Sequence, residues 1–589
     1  MKRHRRGDGR PPSAAGTPFR PEPAERPAFW IVVALLWAVV FAIDPRGRES
    51  FRLPKELLGT ALAAVSVVAL AWSGRLRLDR GLSASPAARA LAPLAGVAIL
   101  SALLSPHPAH VAQTLPLLLV AFAALAGWSH AFSAATLDRL LALSLWPAAA
   151  LAALGIAQAL GLYQPFVFTD TDAARLEITS LAGNVGDFGA ALVLPLLLAQ
   201  HALFTAASRR RRWLALGLAL LFAIALVASQ TLAALGAAAL GSLLLWARLL
   251  PRRRWLPVAG ALAIAGGLVL LLAAPVRERV TAKVRDLSFG DVNRLLTGRL
   301  DGWRAALWMT AAHPLTGVGP GAFVTEFVPA KLALLERGVR FFDEQATPVF
   351  ANAHSEPLEV AAELGFAGLV ALGWGLWVLG SHIRRRPQTA PENALALAVL
   401  VALGLLALFD FPFRVALVGY PAALFLARVL HAPGRGEDTP AATRRTRLTA
   451  LGLALLALLA LASAPGRLGA NRLVRAAAEA RTAVVLRGGL DAHGRQLLAG
   501  NIAMLEAAIR KDPAAVSARV ALGAQYLLLG RAERAIGVYR EALALEPRPE
   551  THLNLARALS MAGRTEEART ELATALRLAP HLASQIPSE

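Results

Sequence analysis

Cysteine is absent from the 589-residue chain, and residues that carry charge are scarce. Without a thiol, the protein can form no disulfide bond, no thiolate metal site and no cysteine nucleophile. Charged residues make up only 17% of the chain, and Asp and Glu (39) are outnumbered by Lys and Arg (61). Hydrophobic residues reach 56%, above the roughly 45–50% of a soluble domain. We therefore expect most of the chain to lie in a membrane.

Long apolar blocks recur along the chain, each close to the roughly 20 residues that a membrane-spanning helix needs. They predict an all-α, polytopic membrane helix bundle of about 12–13 spans. The predicted spans are 28–43, 56–73, 90–105, 111–128, 140–162, 184–205, 213–229, 231–249, 255–274, 357–382, 393–409, 413–430 and 447–465. Residues 1–27 are basic and rich in proline and glycine, which predicts a disordered cytoplasmic tail rather than a cleavable signal peptide.

Arginine runs between the apolar blocks predict the orientation of the bundle. The runs lie at 74–89, 206–213, 247–254 and 431–447. The positive-inside rule assigns these segments and the N-terminus to the cytoplasm. The exception is the outer loop that carries Arg46, Arg48, Arg52 and Lys55. The predicted spans form two blocks, 28–274 and 357–465, with the large loop 275–356 between them. In a bacterial inner membrane, this orientation places the large loop in the periplasm. The C-terminal residues 470–589 lie in the periplasm as well.

Residues 470–589 differ in character, since they are amphipathic, charged and rich in alanine and leucine. Leu522, Gly523, Tyr526, Gly530, Ala535, Tyr539, Ala542 and Pro547 recur as Leu555, Ala556, Leu559, Gly563, Ala568, Leu572, Ala575 and Pro580. This spacing resembles the tetratricopeptide repeat, whose stacked helices present a concave surface. Two interpretations follow, a docking module for a periplasmic partner protein and an appendage that packs on the membrane domain.

Ionisable side chains are nearly absent within the predicted spans, apart from Asp187, Glu359 and Glu363 close to the outer ends. An ion-coupled transporter keeps such groups near mid-membrane, so this pattern disfavours a transporter. Polar chemistry is concentrated at the predicted periplasmic face instead. There, 299–323 predicts a helix that ends at Pro314 before a glycine-rich turn, and 352–368 places His354 at the mouth of the next span.

These two stretches resemble the O-antigen ligase and O-antigen polymerase family. The family pattern has an arginine shortly before a tryptophan, then Pro-Leu-x-Gly-x-Gly, then a histidine followed by Glu-Leu-Gly. This chain supplies Arg299 and Trp303, Pro314 to Gly319, His354 with Ser355, and Glu363 to Gly365. A weaker match joins Arg175 to Gly183 and Asn184, where the second asparagine of the family pattern is missing. The resemblance covers residues 28–430, with specific motifs between about 295 and 370.

The resemblance implies a GT-C-like membrane glycosyltransferase that moves a glycan from undecaprenyl diphosphate to an acceptor hydroxyl. Arginine suits the diphosphate because its planar fork binds two phosphate oxygens at once. Histidine suits the acceptor because its ordinary pKa makes it a competent base near neutral pH. The expected residues are catalytic His354, diphosphate-binding Arg299, Arg175 and Arg304, and supporting Trp303 and Glu363. A metal-independent, inverting displacement without a cofactor is expected.

Structural interpretations compete with these roles. Arg299 could pair with Asp301 or Glu326 on a solvated helix, and Arg175 and Arg304 could be loop or surface charges. His354 could cap or pack a helix, and Glu363 could favour a helix N-terminus through the helix dipole.

The acceptor also stays open at this point. A lipid A core, a repeat unit of a growing polysaccharide and a Ser or Thr of a protein all supply a hydroxyl. Two other functions compete with the enzyme, a non-enzymatic scaffold that recruits a partner through the repeats and a transporter of lipid-linked glycans. No nucleic-acid partner is expected, since the arginine clusters follow the membrane topology.

Overall fold

The computed structural model describes residues 19–76, 85–163, 178–254, 274–290, 292–342, 349–385, 389–431, 444–486 and 491–586, with isolated positions between 255 and 273. Helices account for all the regular structure in these ranges, and no strand occurs there. Ten helices are long and apolar enough to cross a membrane. The protein is therefore an all-α polytopic membrane protein, as the sequence predicts.

The apolar helices correspond to the predicted spans. They are α1 (Arg26–Phe41), α2 (Arg52–Trp72), α3 (Pro86–Leu104), α4 (Pro108–Ala131), α5 (Ala134–Ala159), α6 (Val185–Thr205), α7 (Arg209–Ser229), α8 (Leu232–Leu249), α13 (Glu356–Arg385), α14 (Ala390–Phe409), α15 (Ala416–Val429) and α16 (Arg444–Leu461). Two of them, α1 and α15, are shorter than the others. The predicted span 255–274 lies outside the described residues, apart from isolated positions.

Polar helices follow α8 and α16. The first group is α9 (Ala274–Ser288), α10 (Val292–Leu295), α11 (Arg299–Ala312) and α12 (Phe323–Glu336). The second group is α17 (Ala464–Leu486), α18 (Ala492–Lys511), α19 (Val516–Leu528), α20 (Ala532–Leu545), α21 (Pro549–Met561) and α22 (Thr565–Leu578). Both groups gather at one end of the bundle, where the loops 42–51, 105–107 and 410–415 also lie, and we call it the site end.

Helix α6 forms the centre of the bundle, and it is the most deeply buried of the candidate spans. Phe188 in its first turn fills space that Gly155 of α5 leaves open, because a Cβ at position 155 would lie 2.2 Å from the Phe188 ring. The helix begins at the site end, where the Asn184 carboxamide oxygen accepts hydrogen bonds from the backbone N–H groups of Gly186 and Asp187. This N-cap fixes where the chain enters the bundle.

The C-terminal repeats rest on the site end of the bundle. Lys331 Nζ of α12 donates to the Leu578 carbonyl at 2.7 Å, and Thr325 Oγ1 donates to the Leu545 carbonyl at 3.0 Å. Arg472 of α17 also pairs with Asp44 of the first loop, at 2.9 Å. The repeats therefore pack on the membrane domain, while their inner face stays available.

Helix α13 is broken at Gly365, whose backbone adopts a left-handed conformation with φ 66°. The extended segment before Gly319 supplies the hydrogen bonds that the break removes. Val318 and Gly319 N–H donate to the carbonyls of Ala362 and Glu363, and Phe366 N–H donates to the Pro314 carbonyl. Two motifs that lie about 50 residues apart in the sequence therefore form one interlocked unit.

Gly317 allows the extended segment to approach the broken helix so closely. Its φ is +67°, and a Cβ at this position would lie 2.3 Å from the Glu363 carbonyl carbon. Gly338 has a similar φ of +76° but meets nothing within 4 Å. The two glycines thus share a backbone conformation and differ in their surroundings.

We expect Gly317→Ala to lower the apparent melting temperature of the detergent-solubilised protein far more than Gly338→Ala. Both changes force an L-residue into the left-handed region, which costs roughly 1–2 kcal/mol. Only Gly317→Ala adds a clash with backbone, which cannot move aside as a side chain can. Size-exclusion chromatography after heating measures the melting temperature of each variant. Equal decreases in the two melting temperatures would contradict the close packing of Gly317 on the broken helix.

Candidate active site

His354 lies in a tight turn just before α13, with a left-handed φ of 53° that is unusual for a residue other than glycine. Glu359 of α13 holds this turn, because its carboxylate accepts hydrogen bonds from Asn352 Nδ2 at 2.7 Å and Ala353 N–H at 3.1 Å. Trp303 Nε1 of α11 approaches the His354 carbonyl at 3.4 Å. The backbone strain at His354 is therefore maintained by contacts from two helices.

The imidazole of His354 faces a carboxylate that sequence analysis did not identify. Its Nδ1 lies 3.5 Å from Oδ1 of Asp410, at an ion-pair distance. Phe350 and Phe411 flank the ring, with centroids 5.5 Å and 5.0 Å away. At this distance the contact is an ion pair and not a hydrogen bond, since Nδ1 has no hydrogen-bond partner among the described residues. A carboxylate at one ring nitrogen favours an imidazolium and leaves the other nitrogen for chemistry.

Asp410 is ionised at neutral pH in this setting. Burial disfavours its charge, but His354 and then Arg299 outweigh that effect, so the pKa of Asp410 lies below its ordinary value. The carboxylate can therefore orient the imidazole and stabilise an imidazolium. Arg299 lies one turn before Trp303, the residue of α11 that approaches the His354 carbonyl.

Arg414 joins the Asp410 loop to the first turns of α13. Its guanidinium lies 2.7 Å from Glu363, 3.2 Å from Glu359 and 3.8 Å from Glu356. Glu359 is fully buried, and three carboxylates on one helix face would repel one another without a cation. These carboxylates raise the pKa of Arg414 against the opposing effect of burial.

Arg299 begins α11 and pairs with neither Asp301 nor Glu326. Its Nη1 contacts the Leu296 carbonyl at 3.4 Å, and its buried Nε finds no hydrogen-bond partner among the described residues. Asp301 instead accepts from Asn293 and from Phe342 N–H, and Glu326 pairs with His107. Of the structural interpretations of Arg299, pairing with either carboxylate is therefore wrong.

Arg279 of α9 is a second cation of this kind, and sequence analysis did not single it out. Burial, with repulsion from Arg299, lowers the pKa of Arg279. Its Nε is also buried without a hydrogen-bond partner within the described part of the chain. An arginine that lacks a carboxylate partner is a candidate to bind an anion.

The basic loop that disagreed with the predicted orientation has a structural explanation. Arg52 forms two hydrogen bonds to the carboxylate of Asp187, at 2.8 Å and 2.9 Å, and lies over the Phe411 ring. Lys55 Nζ donates to the carbonyls of Val40 and Ala42, which end α1. These two cations stabilise helix ends. Their presence therefore does not indicate on which side of the membrane the loop lies.

The other predicted site residues lie in different settings. Arg304 Nη1 donates to the Arg340 carbonyl at 2.7 Å and lies 3.7 Å from Asp301, with about a third of its side chain exposed. Trp303 contacts the His354 turn, and Glu363 supports it through Arg414. Arg175 lies outside the described residues. Within those residues, no three His, Asp or Glu side chains converge in a way that could hold a metal ion.

Sequence reasoning missed Asp410, Arg414, Arg279 and the Arg52–Asp187 pair. Asp410 and Arg414 flank Phe-Pro-Phe in a short loop between two predicted spans. A charge in such a loop is exposed only if nothing covers the loop, and here Glu356, Glu359 and His354 cover it. The only signal in the sequence was the presence of two opposite charges in one short loop between spans, and nothing local linked them to the acidic first turns of α13.

Comparison with known families gives two matches. Residues 214–373 match the family described as O-Antigen ligase, and residues 526–585 match the tetratricopeptide repeat. The first match contains Arg279, Arg299, Trp303, His354 and Glu363, and it ends before Asp410. Comparison with curated proteins gives no match. The chain is thus a polytopic membrane protein in which residues 214–373 match the O-Antigen ligase family and the C-terminal residues 526–585 match the tetratricopeptide repeat.

Proposed function

We propose that the protein transfers a glycan from undecaprenyl diphosphate to an acceptor hydroxyl at the periplasmic face of the bacterial inner membrane. The family implies a glycosyltransferase-like enzyme of O-antigen ligase or polymerase type. One observation carries the finer proposal: the His354–Asp410 pair adjoins the first turns of α11, where Trp303 Nε1 approaches the His354 carbonyl and the buried Nε of Arg299 has no hydrogen-bond partner among the described residues.

Two arginines, Arg299 and Arg279, would hold the leaving group. When the bond between the anomeric carbon and the phosphate oxygen breaks, that oxygen gains negative charge. Arg299 and Arg279 can stabilise this charge with hydrogen bonds from their free N–H groups. Arg175, which the family resemblance also assigns to the diphosphate, stays part of the proposal. Arg304 is left out because its hydrogen bond to the Arg340 carbonyl accounts for its position.

His354 would activate the acceptor. Its Nε2 takes the proton of the acceptor hydroxyl while that oxygen attacks the anomeric carbon. The proton stays on the imidazole, and Asp410 stabilises the resulting positive charge through Nδ1. The products are the glycosylated acceptor and undecaprenyl diphosphate. Attack opposite the leaving group inverts the configuration at the anomeric carbon.

The acceptor class can be read from the glycans of cells that lack the protein. Unligated long chains would indicate a lipid A core as the acceptor, single-unit chains a polymerase, and unglycosylated proteins a protein O-oligosaccharyltransferase. If a cell that normally makes the protein shows unchanged glycans after the gene is deleted, the enzyme is refuted. That result would favour a scaffold or a transporter of lipid-linked glycan.

We expect His354→Gln to reduce glycan transfer in membrane vesicles by roughly 10²–10⁴-fold, the usual contribution of a general base. Asp410→Asn should reduce it by up to roughly 10⁴-fold, because it removes the charge that stabilises the imidazolium. Arg304→Gln is the matched control and should stay near wild-type activity. Normal transfer by a stably expressed His354→Gln variant would refute the mechanism.

Binding of undecaprenyl diphosphate tests the arginines without knowledge of the acceptor. Arg299→Gln and Arg279→Gln should each raise its dissociation constant by roughly 10–100-fold, since a hydrogen bond to a charged group contributes about 1.5–3 kcal/mol. Arg285→Gln is the control, because Arg285 lies exposed on the same helix as Arg279. Equal effects of Arg279→Gln and Arg285→Gln would argue for a general charge effect.

The proposed orientation has its own test. Alkaline phosphatase is active only in the periplasm, so a fusion after residue 545 should be active. A fusion after residue 207, near the arginine run of α7, should be inactive. The opposite result would place the site at the cytoplasmic face and exclude a periplasmic reaction.

A further inference from the structure

The loop 42–51 joins α1 to α2, and it is held by α17, the first helix after the last span. Arg472 of α17 pairs with Asp44 at 2.9 Å, and Arg467 pairs with Glu56 of α2 at 3.3 Å. Four side chains of α17 contact the loop or the start of α2, and we call them the α17 clamp: Arg467, Asn471, Arg472 and Arg475. Their spacing of four, five and eight residues from the first places them on one side of the helix.

Asn471 is the central contact of the α17 clamp. Its Oδ1 accepts a hydrogen bond from Glu49 N–H at 2.9 Å, and its Nδ2 donates to the Glu49 carbonyl at 3.3 Å. Its own carbonyl accepts from Arg48 N–H at 3.3 Å. A carboxamide carries both a donor and an acceptor, so this side chain pairs with the Glu49 backbone as a neighbouring strand would. Gly47 permits the approach, because a Cβ there would lie 2.2 Å from Asn471 Nδ2.

Hydrogen bonds inside the loop make it a compact unit. Asp44 N–H donates to the Ser50 carbonyl at 2.9 Å, and Gly47 N–H donates to the Asp44 carbonyl at 3.0 Å. Ser50 Oγ donates to the Gly47 carbonyl at 2.9 Å. Phe51 then packs against Gly183, where a Cβ would lie 2.4 Å from the Phe51 ring. The loop therefore links α17 to the start of α6 through continuous contacts.

Arg52 follows this loop directly and reaches the candidate active site. Its guanidinium forms the two hydrogen bonds to Asp187 and lies 5.3 Å from the centroid of the Phe411 ring. Phe411 in turn flanks the His354 imidazole, with ring centroids 5.0 Å apart. Because 48% of the Arg52 side chain is exposed, these contacts and not burial fix its position. An arginine over an aromatic face attracts the ring, so Arg52 restrains Phe411 beside the imidazole.

We propose that Asn471 and Arg52 are positioning residues for His354, which act through the loop 42–51 and the Phe411 ring. The role of His354 as the base rests on the proposed function. When α17 holds the loop, Arg52 keeps Phe411 against the imidazole. When α17 leaves the loop, Phe411 can turn away, and the imidazole loses one of its two aromatic neighbours. The C-terminal helices are then a working part of the site and not only an appendage.

Labelling with diethyl pyrocarbonate tests the positioning without any assay of transfer. The reagent modifies neutral imidazole, and mass spectrometry of the full-length protein in detergent at pH 8 follows each histidine separately. Asn471→Leu keeps the shape of the side chain but removes both hydrogen bonds to Glu49. It should raise the labelling rate of His354 by roughly threefold or more, because loosened packing increases accessibility, and Arg52→Gln should do the same. The exposed His313 is the internal reference and should react at an unchanged rate.

Glycan transfer gives the second measurement. Asn471→Leu should lower kcat roughly tenfold, the scale of effect that a residue supporting a site usually has. The KM for the lipid-linked donor should stay unchanged, because the proposed donor contacts, Arg279 and Arg299, lie on α9 and α11. Asn554→Leu is the matched control, since Asn554 contacts Arg557 within the repeats. It should change neither kcat nor the labelling of His354.

The outcomes separate this proposal from the proposed reaction. Unchanged labelling of His354 in both Asn471→Leu and Arg52→Gln, at normal melting temperatures, would overturn the positioning even if the wild-type protein transfers glycan. An effect of Arg52→Gln alone would overturn the role of α17. Equal effects of Asn471→Leu and Asn554→Leu would indicate general loosening of the repeats and also refute it. If labelling changes as expected but the wild-type protein transfers no glycan, the proposed function fails and the positioning of His354 stands.

Discussion

Three glutamates on the first turns of α13 would repel one another, and one arginine resolves this conflict. Glu359 and Glu363 are almost fully removed from solvent, where like charges cannot be screened by water. Arg414 lies within ion-pair distance of Glu356, Glu359 and Glu363. The same contact holds the loop 410–415 against α13. As a result, Asp410 lies beside His354, and the site geometry follows from neutralising buried charge.

The glycine motif supports this arrangement from the opposite side. The segment that ends at Gly319 replaces the hydrogen bonds lost where α13 breaks, and Gly321 N–H donates to the Glu363 carboxylate at 3.0 Å. Ser101 of α3 donates to the Glu363 carbonyl at 2.8 Å. Glu363 is therefore held by its side chain and by its backbone. The glycines act here as structural elements that let the two segments approach each other closely.

The sequence predicted the helices well because hydrophobic length is a local signal. Twelve predicted spans coincide with helices, and the repeats were recognised from their period. The predicted site was less complete, since an ion pair between distant segments leaves no local pattern. Arg52 and Asp187, 135 residues apart, read as two isolated charges until the structure brings them together. The hydrogen bond from Arg304 to the Arg340 carbonyl, 36 residues along the chain, likewise leaves no local pattern.

Pairing offers a way to separate structural from functional cations in this chain. Arg52 and Arg414 hold carboxylates, and Lys55 holds two carbonyls at a helix end. Each of these contacts neutralises a carboxylate or satisfies a carbonyl group. The stability of the fold alone therefore explains these three cations. Arg279 and Arg299 differ, because each has a buried Nε without a hydrogen-bond partner among the described residues. A buried cation without a partner does not stabilise the fold, so folding alone does not explain these two arginines, and the lipid diphosphate that we propose would supply the partner they lack.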